Sequence, residues 1–142
     1  MNQTTLTKQE SIKRQWLIAS AKGKVLGPLA VRVANALMGR TKVDWTPHVD
    51  GGDFVVVTDV ESVVVTGNKP EKKTYRFHSG YMGGLTELSF ATLHASHPDR
   101  VLQLAVKRML PKTVQGRNQL KRLKIYKGSA HRHTAQKPVE LP

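Results

Sequence analysis

The run DFVVVTD, residues 53–59, constrains the fold more than any other stretch of the chain. Phe54 and three valines in succession leave no polar side for water, so the segment predicts a strand covered on both faces. Upstream, Trp16-Leu17-Ile18-Ala19 makes a shorter apolar run, and Lys22-Gly23-Lys24 after it reads as a turn. Between the two lies GPLAVRVANALMGR, where Leu29, Ala30, Val33, Ala34, Leu37 and Met38 recur at helical spacing, with Pro28 suited to a first turn and Gly39 to a C-terminal stop. Strand, helix and strand in that order imply a parallel pair, a right-handed crossover and a helix packed on the sheet. The class is α/β.

The rest of the chain reads less sharply. SVVVTG (62–67) and KKTYRFHSG (72–80) are expected as strands, and HSGYMGG (78–84) as a glycine-rich loop whose backbone can approach a partner closely. LTELSFATLHAS (85–96) and RVLQLAVKRML (100–110) are expected as helices, the second ending near Pro111. Residues 115–123 form a short basic helix, KIY (124–126) a short strand, and the remainder an irregular tail. Residues 1–14, polar and aperiodic, are expected to be flexible. Residues 15–142 then make one domain with a basic final third, 100–139.

Charge separates that third from the rest. The chain of 142 residues has a net charge of +13 and a pI near 10.4. Residues 1–99 hold 12 basic and 9 acidic residues, whereas 100–139 hold 11 basic residues and no acid. A polyanion long enough to cover forty residues is most simply nucleic acid. A membrane partner would want a long apolar face, and there is no run of 18 apolar residues to span a bilayer. The N-terminus lacks the apolar region of a secretory signal, so a cytoplasmic location is expected. With no cysteine, disulfides, thiol catalysis and cysteine-ligated zinc are excluded.

Four constellations invite chemistry. The turn and helix start WLIASAKGKVLGPLA resembles a phosphate loop only loosely: it has no GxGxxG or GK[ST], and Pro28 removes a donor. In WTPHVDGGD (45–53), His48, Asp50 and Asp53 could ligate a metal and activate water, which keeps a metal-dependent RNA-processing enzyme open as an alternative. The HRH of residues 131–133 suits RNA contacts better than zinc, because Arg132 sets a positive charge beside any cation. Most informative is KRMLPKTVQGRNQLKRLKIYKG (107–128), with eight basic residues and no acid. On a helix Arg117, Lys121 and Lys124 would share one face while Leu120 and Leu123 occupy another, so a folded element offering cations to phosphate is expected rather than a disordered tail.

WTPHVDGGDFVVV, VTGNK (65–69), HSGYMGG, MLPK (109–112) and GRNQLKRLKIYKGSAHRHTAQKP (116–138) stand in an order and spacing that resembles the large-subunit ribosomal protein thirteen family, in its bacterial-length form. The resemblance runs from Trp16 onward. It implies a three-layer α/β/α domain with a four-stranded, mainly parallel sheet and a basic C-terminal helical extension, bound to 23S-type large-subunit rRNA early in subunit assembly. It also implies neighbouring large-subunit proteins as partners, and neither catalysis nor a cofactor. Residues expected at RNA are Lys42, His48, Lys69, His78, Lys107, Arg108, Lys112, Arg117, Lys121, Arg122, Lys124, Lys127, His131 and His133. The chain departs from the family's common residues at Pro28, Gly51 (commonly Thr), Thr86 and Arg108. A regulator that binds its own mRNA as a secondary ligand is the nearer alternative, and an organellar ribosome is the other possible setting.

Overall fold

The computed structural model describes residues 7–141; the first six residues of the segment expected to be flexible fall outside that range. Strand β1 (Trp16–Ser20) leads through helix α1 (Leu26–Met38) to β2 (Phe54–Thr58). The two strands pair in parallel, Trp16 opposite Phe54 and Ser20 opposite Thr58, as the strand, helix, strand order requires. Later elements are α2 (Lys69–Lys72), β3 (Thr74–His78), β4 (Leu85–Ser89), α3 (Phe90–Ser96), α4 (Pro98–Met109), α5 (Val114–Lys121), β5 (Leu123–Ile125) and β6 (Val139–Glu140). Four strands form one wholly parallel sheet in the order β5-β2-β1-β6, with helices packed on it, in keeping with a three-layer α/β fold.

Strand alternation sorts the two sheet faces. Leu17, Ala19, Val55 and Val57 point into a continuous core with Leu29, Val33 and Leu37 of α1 and Val101, Leu102 and Val106 of α4. Trp16 and Phe54 point the other way and stack on each other, ring centroids 4.5 Å apart. Gly39 ends α1 at φ +76°, its amide and that of Arg40 capping the Ala36 and Asn35 carbonyls. The α1 residues at helical spacing are buried as expected, apart from a half-buried Met38.

Three expectations need correction. The valines of 62–67 do not make a sheet strand. Asp59, at φ +56°, turns the chain into a 3-10 turn (Val60–Ser62), and only Val64 forms a bridge, to Val25. Residues 85–89 are strand β4 rather than helix, paired antiparallel with β3 so that Arg76 faces Glu87 and Tyr75 faces Leu88. Ser89 then caps α3, its hydroxyl accepting from the Thr92 amide. The tail is not wholly irregular either: β6 joins the sheet edge beside β1, and the Leu141 amide donates to the Ile18 carbonyl.

Residues 7–14 make polar contacts with the loop that precedes β2. Thr7 donates to the Asp44 carbonyl, and Arg14 to the Asp50 carbonyl. The Lys13 carbonyl accepts from Lys42.

Candidate nucleic-acid interface

The residues expected at RNA divide by what their side chains already hold. Two cations are committed internally. Arg122 follows the last residue of α5 and is buried. Its guanidinium donates to both Asp50 carboxylate oxygens, at 2.5 and 2.6 Å, and to the Leu37 carbonyl at the end of α1. Lys42 donates to Asp53, to the Gly51 carbonyl and to the Lys13 carbonyl. Both are structural ties around the loop before β2. Burial alone would raise the Asp50 carboxyl, but hydrogen bonds and charge from Arg122, with help from Gln119 and Arg14, hold it below its ordinary value.

The same pairing answers the metal alternative. Asp50 belongs to Arg122 and Asp53 to Lys42 and the Gln15 amide, while His48 stands exposed. Among the described residues no three histidine or carboxylate groups gather to hold a metal ion. Gly52 explains why the loop can come so close: a Cβ there would lie 1.7 Å from the Leu37 carbonyl oxygen.

A second group is exposed and unpaired. Leu110 is extended, the conformation favoured before a proline, and Pro111 turns the chain from α4 into α5, which Thr113 caps by accepting from the Gly116 amide. Around this turn Lys107, Lys112 and Arg117 line a cleft of about 290 Å³. Lys121 follows one turn along α5. All four are exposed, and among the described residues none has an acidic partner. The single helical face expected of Arg117, Lys121 and Lys124 is not formed, because α5 stops at Lys121 and Lys124 lies on edge strand β5, half-buried. The Pro111 turn gathers cations instead, from two helices.

The remaining residues are dispersed. Arg108 and Lys69 line a different cleft, together with Lys73 and Tyr75. His78 closes β3 at the base of a hairpin loop, where its Nδ1 accepts from the Gly80 amide; Tyr81 and Met82 project beyond it, 79% and 98% exposed. Lys127 is exposed. His131 and His133 are folded back: His133 lies on Trp16 with centroids 4.8 Å apart, and both histidines border Tyr126. Sequence reasoning passed over Lys73 and Tyr75, whose proximity to Arg108 depends on tertiary packing. It also passed over Tyr81 and Met82 as individual residues, although the glycines around them marked the loop.

No helix among the described residues is long and apolar enough to cross a membrane. The chain is 52% identical over 141 residues to "Large ribosomal subunit protein uL13" of Thermosipho africanus, an alignment covering 99% of this chain and 95% of the relative. It is 51% identical over 136 residues to the protein of that name in Thermoanaerobacter sp. strain X514, covering 96% and 95%. It is 50% identical over 135 residues to that of Francisella tularensis subsp. novicida, covering 95% of each. The model of the family described as ribosomal protein L13 matches residues 14–132, most of the chain, and the protein belongs to that family.

Proposed function

We propose that the protein is a structural component of the large ribosomal subunit that binds its rRNA, supports early subunit assembly and translation, and catalyses nothing itself. The observation that carries this reading is the Pro111 turn, where Lys107, Lys112 and Arg117 line one cleft with no acidic partner among the described residues. Cations so placed repel each other until an anion arrives, and each phosphate they neutralise releases counterions from the RNA. Lys121 and Lys127 extend the contact. The hairpin tip adds a different mode, since exposed Tyr81 and Met82 offer apolar surface to unstacked bases or groove walls of irregular RNA.

The partners are large-subunit rRNA and the ribosomal proteins beside it, on a cytoplasmic ribosome. Lys42 and Arg122 serve this function indirectly, by holding the loop before β2 against α1 and α5. The direct test is sedimentation of the protein with large ribosomal subunits through a series of salt washes. Retention that fails only at high salt is expected, and release at low salt would overturn the reading.

A further inference from the structure

The first turn of α1, the junction of α2 with β3, and the last turn of α4 converge on a cleft of about 470 Å³, separate from the Pro111 turn. Tyr75, only 2% exposed, lines it, and its hydroxyl is buried with no hydrogen-bond partner among the described residues. Buried polar groups are normally satisfied, so an unpartnered hydroxyl on a side chain that lines a cleft points to a ligand that completes it. The surroundings define that ligand's charge. Lys73 Nζ sits 5.2 Å and the Arg108 guanidinium carbon 5.8 Å from the Tyr75 ring centroid, and Lys69 lines the same cleft. Glu71, on the same short helix as Lys69, forms no ion pair with any of the three. Burial first, then the charges of Arg108 and Lys69, push the Lys73 ammonium below its ordinary pKa, as expected of cations crowded without a counterion.

The helix start adds to this field. The first turn of the 13-residue α1 carries no acid, and Val25 gives it no side-chain cap. Gly27 lines the cleft, and among the described residues its amide has no acceptor. The positive end of the helix therefore faces the same space as the three cations. Val25, Val65 and Met109 supply an apolar wall beside them.

We propose that this cleft binds one nucleotide unit, its phosphate held among Lys69, Lys73 and Arg108 with the Tyr75 hydroxyl donating to a phosphate oxygen, and its sugar or base against the apolar wall. The phosphate belongs either to an unstacked nucleotide of RNA, in which case the site deepens the rRNA reading above, or to a free mononucleotide, in which case it stands apart from it.

The test uses the full chain. Amide NMR spectra are followed while inorganic phosphate or AMP is added, and affinity for a large-subunit rRNA fragment is measured in parallel. AMP is expected to shift the resonances of Gly27, Lys73, Tyr75 and Arg108, and phosphate to shift them less. Tyr75→Phe keeps the ring and the packing and is expected to weaken binding about fivefold, the worth of one hydrogen bond. Lys73→Gln with Arg108→Gln is expected to weaken it further. If the variants weaken rRNA binding, the nucleotide is part of the RNA; if they weaken only AMP binding, it is a free nucleotide. The proposal is overturned if AMP leaves the cleft resonances unmoved and both variants bind rRNA as the parent does. Failure of the parent to bind rRNA at all would sink the rRNA reading while the AMP titration still decides the cleft.

Discussion

Asp50 and Arg122, 72 residues apart in the chain, meet in a two-pronged ion pair that joins the loop before β2 to the end of α5. The guanidinium also donates to the last turn of α1 through the Leu37 carbonyl, so one side chain fixes three segments. Truncating one partner strands the other. Arg122→Gln is expected to cost about 3 kcal/mol, because a mostly buried carboxylate loses its counter-charge. Asp50→Asn should cost a similar amount, and the two together less than their sum. Urea unfolding of the four proteins checks the coupling, and additive losses would show that the pair contributes nothing as a pair.

The pair also fixes a pH dependence. The Asp50 carboxyl is held below its ordinary value in the fold, so its contribution is present above the unfolded carboxyl's pKa, about 4, and is lost as pH falls through the lower folded value. Melting temperatures measured from pH 6 down to pH 2 should fall more steeply for the parent than for Asp50→Asn. Parallel curves would show that Asp50 takes no part in acid unfolding.

The neighbouring glycines of that loop are not equivalent. A Cβ at Gly51 would meet nothing within 4 Å, whereas one at Gly52 would lie 1.7 Å from a backbone oxygen of Leu37. Gly52→Ala must therefore push the loop off α1 and disturb the nearby Arg122, and a loss of several degrees in melting temperature is expected. Gly51→Ala should be neutral within about 0.5 kcal/mol. Equal losses at both positions would contradict the packing.

What the sequence made legible follows from where each signal is stored. The parallel pair of β1 and β2 was readable because β-branched runs and helical spacing are local. Gly39 was readable because a helix stop needs a left-handed residue. Strand β4 was misread because Leu85 and Leu88 stand three apart, as on a helix; the decisive features were Gly83 and Gly84 before it and the Ser89 cap after it. Arg122 could not be told from its basic neighbours by any local pattern, since only the fold brings Asp50 to it. For the same reason, treating every cation of 107–127 as a phosphate ligand counts one that is spoken for.

That distinction gives the salt dependence a sharper form. Replacing Lys107, Lys112, Arg117 and Lys121 together by Gln removes four exposed cations that form no ion pair among the described residues. If each neutralises about one phosphate, the slope of log affinity against log salt should fall by roughly 3 units, at about 0.7 to 0.9 per contact. Glutamine favours helix nearly as well as lysine, so α4 and α5 should persist. Arg122→Gln alone should weaken the fold yet leave the slope unchanged, because its charge faces Asp50 rather than solvent. A fourfold change at Lys8, Lys13, Lys22 and Lys24 should alter the slope by less than the C-terminal set. Measured on one rRNA fragment across a salt series, equal slope losses from the two quadruple variants would mean that net charge alone drives binding and that the Pro111 turn has no special place in it.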